Sequence, residues 1–258
     1  DNHDVERPLI PGSVLGQFDI ERVRFSYPGT PSGLSIQLLK INPGEKVGVI
    51  GPIGAGKSTL LRLLSGMFRA GEGRILLDGL DIDQISRGYL GEKIGYLQQD
   101  HRLFSGTLRD NLLIGIPDPG DDVIKHAAEL SGLLSVISGH PKGLDLPIAE
   151  GGKGLSGGQR QLVAFTRLLI SKPAVWLLDE PTASMDTATE AKCLQVMQQM
   201  VKPENTLVLV THKTNLLSLV DRLIVIAGHQ IVMDGPRDEI IQRLSSPAVN
   251  TGTRGAAA

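Results

Sequence analysis

Gly51-Pro52-Ile53-Gly54-Ala55-Gly56-Lys57-Ser58-Thr59 lies between two stretches of different apolar rhythm. Before it, Val47-Gly48-Val49-Ile50 is a short apolar run. After it, Leu60, Leu63, Leu64 and Met67 recur with the spacing of one helix face. Gly-x-x-x-x-Gly-Lys-Ser at a strand-to-helix junction is the pattern of a phosphate-binding loop. Glycines at 51, 54 and 56 let backbone N–H groups turn inward where a Cβ would block phosphate oxygens. The helix beginning at Lys57 adds the partial positive charge of its open N–H groups. Lys57 can reach β- and γ-phosphates, and the Ser58 hydroxyl can ligate Mg2+, with Thr59 beside it.

The whole chain is compatible with that reading. Its 258 residues suit one large domain, 41% of them hydrophobic, with a net charge of −2. Such a balance speaks against a general nucleic-acid binder, which usually carries a strong basic bias. Cys193 is alone, which rules out an internal disulfide and suits a reducing compartment. No stretch has the ~18 uninterrupted apolar residues of a membrane span. Leu162 to Leu178 comes nearest and is broken by Arg167, Lys172 and Pro173.

Strands are predicted at Phe18–Tyr27, Ser35–Ile41, Val47–Ile50 and Gly73–Gly79, so the first 80 residues are strand-rich. Helical spacing dominates from about 106 to 172, clearest over Val123–Leu134 and Gln159–Ile170. Ala174–Leu178 and Thr206–Val210 are continuous apolar runs, as in strands buried on both faces of a parallel sheet. Leu223–Ile226 and Gln230–Met233 read as a hairpin, and Asp238–Leu244 as a last helix. The alternation predicts an α/β fold with helices on both sides of a parallel sheet. Residues 1–17 read as a linker, the cut end of something longer, and 245–258 as a disordered tail or cloning remnant.

Two further constellations carry chemistry. Ala174-Val-Trp-Leu-Leu-Asp179-Glu180 ends a buried strand in two carboxylates. Asp179 is placed to hold Mg2+ and Glu180 to polarise a water aimed at a γ-phosphate. Leu155-Ser156-Gly157-Gly158-Gln159 opens a second amphipathic helix with small residues, which suits either an anion or an ordinary serine cap.

In order, these motifs resemble the nucleotide-binding domain of the ATP-binding cassette (ABC) family, over about residues 18–244. The resemblance implies a P-loop NTPase (RecA-like) parallel core, an N-terminal antiparallel β subdomain and an inserted helical subdomain at about 100–160. It implies ATP and Mg2+ as cofactors, and an ATPase activity. By the same resemblance, Tyr27 stacks on adenine, while Gln99 senses Mg2+ and the γ-phosphate. His212, in Leu-Val-Thr-His-Lys, is similar to the switch histidine that contacts the γ-phosphate. Asp186, in Ala-Ser-Met-Asp, matches a loop that crosses the dimer interface. Family domains work in pairs, so Ser156, Gly157, Gly158 and Gln159 would face the phosphate loop of a second ABC domain.

Phe104-Ser-Gly-Thr-Leu-Arg-Asp-Asn-Leu112 is similar to the exporter branch. So is Ala149-Glu150-Gly-Gly-Lys-Gly154, although Ala149 and Gly151 depart from the usual Gly-Glu-Arg-Gly. A glutamate near Glu150 helps touch the membrane domains in exporters. His140-Pro-Lys-Gly-Leu-Asp, Pro181–Asp186 and Thr211–Arg222 look like type I secretion ATPases, which export RTX-type adhesins and toxins. A lipid, drug or peptide exporter shares most of these motifs. The implied setting is the cytoplasmic face of an inner membrane, as the ATPase piece of a half-transporter. Its partners would be that half-transporter's transmembrane domain, with membrane-fusion and outer-membrane components, and no nucleic acid. A DNA-repair ABC ATPase would insert long coiled coils, and a translation type would carry two cassettes. A dead regulatory module would usually lose Lys57, Glu180 or His212.

Overall fold

Val175–Asp179 and Thr206–Val210 are buried at every position, as only strands covered on both faces can be. They pair side by side in the computed structural model, which describes residues 7–246. Residues 1–6 of the expected linker and 247–258 of the expected tail lie outside the described residues.

The strands are β1 (Phe18–Ser26), β2 (Gly33–Ile41), β3 (Lys46–Ile50), β4 (Glu72–Leu77), β5 (Leu80–Asp81), β6 (Ile94–Leu97), β7 (Gly106–Thr107), β8 (Pro147–Ile148), β9 (Val175–Asp179), β10 (Thr206–Val210), β11 (Arg222–Ala227) and β12 (Gln230–Pro236). The helices are α1 (Lys57–Leu64), α2 (Arg87–Lys93), α3 (Leu108–Leu112), α4 (Asp121–Ser131), α5 (Leu133–Ile137), α6 (Gly157–Ser171), α7 (Thr187–Met200) and α8 (Arg237–Ser245).

One ten-stranded sheet has the order β5-β4-β1-β2-β12-β11-β3-β10-β9-β6, and β7 pairs with β8 apart from it. The pairs β11–β3, β3–β10, β10–β9 and β9–β6 are parallel. The pairs β1–β2, β1–β4, β4–β5 and β11–β12 are antiparallel. The antiparallel part is thus continuous with the parallel core. The join is narrow: Gln230 pairs with Ser35, and Ser35 N–H donates to His229 O at 2.8 Å.

Alternation decides which face each strand residue serves. Val175, Leu177, Val208 and Val210 pack with Leu60, Leu61 and Leu64 of α1 on one face. Trp176, Leu178, Leu207 and Leu209 pack on the other with Leu162, Val163, Phe165 and Leu169 of α6. A strand apolar at every position therefore feeds two cores. Each fully buried leucine contributes roughly 1.5–3 kcal/mol.

The structure differs from the sequence reading in places. The helix expected over Val123–Leu134 is two, because Gly132 at φ 89 ends α4 and begins α5. Residues 7–17, read as a linker, are seated on the domain where described. Leu9 N–H donates to Gln84 O at 2.7 Å, Leu15 and Gln17 N–H donate to the Asp78 carboxylate, and Thr206 Oγ1 donates to Gly16 O at 2.7 Å. The edge strand β6 and helix α7 add to the expected elements. Only Glu190, Cys193, Val196 and Met197 of α7 are buried, so its apolar rhythm is faint.

Candidate functional site

Strand β3 delivers the chain into the glycine loop, where close approach dictates the residue type. Gly51 has φ 150, and a Cβ there would lie 2.0 Å from Ile226 O. Gly56 precedes α1 at φ 111 with no side chain capping the helix, so its first N–H groups stay open. Lys57 is 7% exposed and donates from Nζ to Gly51 O at 2.7 Å and Pro52 O at 2.8 Å. Burial pushes its pKa down, while Glu180 and Asp179 pull it back.

A cleft of about 630 Å³ brings together Tyr27, Gly54, Gly56, Lys57, Ser58, Thr59, Gln99, Asp179, Glu180 and His212. Gly51 is not among its lining residues and lies against Ile226 O. Tyr27 is held by its hydroxyl, 2.9 Å from Thr59 Oγ1 and accepting from Arg62 at 2.7 Å. Phe25 and Phe68 meet its ring edge-on.

Asp179 ends β9 at 2% exposure, and its Oδ1 has no hydrogen-bond partner. Burial raises its pKa, against the opposing pull of Ser58, Arg62 and Lys57. Glu180 is 7% exposed. Its pKa is also raised by burial, against the His212 backbone and side chain. Its Oε1 is 3.3 Å from His212 Nε2, an ion-pair distance without hydrogen-bond geometry, and its Oε2 accepts from His212 N–H at 3.4 Å. Glu180 also has φ 47, left-handed backbone that a non-glycine residue keeps only when its surroundings enforce it.

Gln161 helps enforce it. This side chain, 1% exposed on α6, donates to Glu180 O at 2.9 Å and accepts from Ser184 N–H at 3.0 Å. Glu180 N–H donates to Val210 O at 2.8 Å. Gln161 is a residue that the motif reading missed. Its signal was an amide inside an apolar stripe, next to Leu162 and near Phe165.

The remaining candidates lie elsewhere. Ser156, Gly158, Gln159 and Asp186 line a second cleft of about 560 Å³, and no residue lines both. Ser156 and Gln159 form a capping box: Ser156 Oγ accepts from Gln159 N–H, and Gln159 Oε1 accepts from Ser156 N–H, each at 3.0 Å. Gly157 and Gly158 leave the helix start bare and lie against Ser184. A Cβ on Gly158 would be 2.7 Å from Ser184 O. Asp186 caps α7 by accepting from Thr189 N–H at 2.7 Å, and that bond holds its carboxyl below the usual range. Near the exporter-like segments, Glu150 accepts from Ser105 N–H at 3.4 Å, and Gly151 N–H donates to Leu103 O at 3.0 Å.

Among the described residues, no helix is long and apolar enough to cross a membrane. The family model described as ABC transporter matches residues 35–183. The chain is 35% identical over 230 residues to the cyclolysin secretion/processing ATP-binding protein CyaB of Bordetella pertussis, covering 89% of this chain and 32% of that protein. It is 34% identical over 237 residues to a fatty acid ABC transporter ATP-binding/permease protein of Mycobacterium bovis, covering 92% and 37%. A bacterial Atm1-family ABC exporter solved with ATP bound superposes with a TM-score of 0.82 at 30% identity, over 93% of this chain and 42% of that one. The chain thus spans about a third to two-fifths of the length of these relatives. With the glycine loop, the Asp179–Glu180 strand end and the Ser156 helix start all in place, the chain belongs to the ABC transporter family, as an ATP-hydrolysing domain similar to those of exporters.

Proposed function

We propose that this domain is one of a pair that closes on ATP to drive an exporter, and that the cargo is a polypeptide, as in type I secretion. The observation that carries the pairing is the separation of the two clefts. The phosphate loop and the Ser156 helix start are both suited to an anion, and one chain does not bring them to one place. A second copy, turned about a two-fold axis, supplies the missing half to each site.

In this reading Tyr27 stacks on adenine and Gly51, Gly54, Gly56, Lys57, Ser58 and Thr59 hold the phosphates. Ser156, Gly157, Gly158, Gln159 and Asp186 face the nucleotide on the partner. Asp179, Ser58 and Gln99 would hold Mg2+. They are oxygen donors of the kind that ion takes, and the unpartnered buried Oδ1 of Asp179 suits a cation. When bound, the ion neutralises charge on the β- and γ-oxygens. Glu180 accepts the proton of the attacking water, a task its burial-raised basicity favours. His212 orients Glu180 and meets the γ-phosphate. Hydrolysis splits the γ-phosphate from ADP, and the phosphate's departure takes away charge that both subunits hold, so the pair opens.

The polypeptide cargo is supported by likeness to the cyclolysin protein and by the segments at 140–145, 181–186 and 211–222. The fatty acid transporter stands at nearly the same identity and supports a lipid exporter as the second reading. Both relatives are far longer than this chain. That suits the ATPase piece of a half-transporter at the cytoplasmic face of the inner membrane. Its partners are a transmembrane domain of the same half-transporter, then membrane-fusion and outer-membrane components.

Mg-ATP hydrolysis measured against protein concentration tests the pairing. A rate per molecule that rises with concentration is expected, and a finite rate independent of concentration would point to a site complete in one chain. For the cargo, the full half-transporter in nanodiscs is assayed with an unfolded secretion-signal polypeptide and with a fatty acid. Stimulation by the polypeptide is expected, and stimulation by the fatty acid alone would move the cargo to lipid.

A further inference from the structure

Glu190, on α7, has no part in the roles above, yet it is 9% exposed and both of its carboxylate oxygens are engaged. Thr182 Oγ1 donates to Oε2 at 2.7 Å, and Lys213 Nζ donates to the same oxygen. Asn215 Nδ2 donates to Oε1 at 2.9 Å. Lys213 Nζ also donates to Thr182 O at 3.1 Å. Taking a carboxylate out of water is unfavourable unless hydrogen bonds replace the solvent; Glu190 accepts three, while its partner Lys213 stays about a third exposed. A network satisfied to this degree selects one arrangement of its members more than it adds stability.

The arrangement selected is that of two loops. Thr182 follows Glu180 by two residues, and Lys213 follows His212 directly. Their functional side chains face each other in the ATP cleft at 3.3 Å. Lys213 N–H donates to Thr211 Oγ1 at 3.0 Å, which tightens the turn at His212. Glu190 also closes the first turn of the helix that Asp186 caps, with its N–H donating to Asp186 O at 2.9 Å. The Glu190 side chain thus bridges the Glu180 loop and the His212 loop, while its backbone joins the turn proposed to face the partner. Burial works against ionisation of Glu190, but bonds from Lys213, Thr182 and Asn215 hold its carboxyl below the ordinary value.

We propose that Glu190 and Lys213 form a positioning clamp that sets His212 against Glu180 and ties that spacing to the Asp186 turn. This rests on the reading of Glu180 as the base. Glu190 does not line the ATP cleft, and Lys213, which borders it beside His212, turns its Nζ to Glu190 and Thr182 O, so the clamp acts on turnover more than on ATP affinity.

The test measures kcat and KM for Mg-ATP in Lys213→Met, Lys213→Arg and the double variant Glu190→Gln with Lys213→Met, alongside melting temperatures. The double variant leaves no orphan charge. Lys213→Met and the double variant are expected to lower kcat by about 10- to 100-fold, as an ångström-scale misplacement does, with KM within about twofold. Lys213→Arg, which keeps the charge and donors, is expected to recover most of the loss. A folded double variant with the parent kcat overturns the proposal, as does a lowered melting temperature with kcat unchanged. If the double variant does not fold, Asn215→Ala carries the same test: lower kcat at constant KM supports the clamp, and unchanged constants overturn it. Glu180→Gln is run in parallel. Parent-like turnover there overturns the base assignment, whereas lost turnover there with an unaffected double variant overturns only the clamp.

Discussion

Two helix starts in this molecule are suited to an anion and are finished in opposite ways. Helix α1 begins after Gly56 with no side-chain cap, and Lys57 is nearly buried within its own loop. Helix α6 begins after Ser156 with a complete capping box, at a surface left partly open to solvent. The open start keeps its N–H groups for a ligand. The capped start satisfies part of its own need and holds its shape without one, leaving the glycine N–H groups and the serine hydroxyl proton to offer. In the proposed pair, one end binds alone and the other waits for a partner.

The sharpest way to break this comparison is Glu180→Gln. Turnover is expected to fall by about 10²- to 10⁴-fold, the usual worth of a general base. ATP-driven pairing should survive and show as a dimer peak in size-exclusion chromatography. Turnover at the parent rate would remove Glu180 from the base role.

Lys57→Ala strikes the open start. Loss of one partner of a buried charged contact is expected to weaken ATP binding by about 2–5 kcal/mol, read by titrating the single chain below its pairing concentration. Affinity unchanged by this substitution would mean the loop does not hold the phosphates.

Gly158→Ala strikes the capped start, where a new Cβ would press on Ser184 O at 2.7 Å. Single-chain ATP affinity is expected to stay within about twofold while turnover drops about tenfold, because only the closed pair uses this helix start. A loss of single-chain affinity would show that the two starts already share one site.

The smallest effect is on stability. Burial holds the Asp179 and Glu180 pKa values above their unfolded ones. The folded chain therefore binds more protons than the unfolded chain between the ordinary and raised values. Stability from these two groups grows as pH falls through that window and is lost as pH rises through it. Asp179→Asn removes one such charge, so the nucleotide-free domain is expected to gain about 1 kcal/mol at neutral pH, or about 2–4 °C by calorimetry. The same substitution should abolish the extra stabilisation by Mg-ATP. A lower melting temperature would show that the carboxylate is paired in the resting state.

Much of the open start was legible in the chain itself. Glycine, lysine and serine at fixed spacing have few other uses at a strand-to-helix junction, and the β9 and β10 runs announced buried parallel strands. The break at Gly132 was less legible, because apolar spacing continues across it and only the backbone turn separates α4 from α5. Helix α7 was hidden by its polar composition. Gln161 and Glu190 escaped because their partners, Glu180, Ser184, Thr182, Lys213 and Asn215, are residues near in space and not neighbours in a motif.

By itself the sequence determined which residues are candidates to hold phosphate and a hard cation, and which strands are buried on both faces. Those properties are local, set by side-chain size, by charge and by period. Tertiary structure alone decided that the phosphate loop and the Ser156 helix start occupy separate clefts. It also decided that Glu180 keeps a left-handed backbone between Gln161 and Val210. Both follow from packing between elements distant along the chain, where hydrogen bonds and close contacts select one arrangement from many that the local pattern permits.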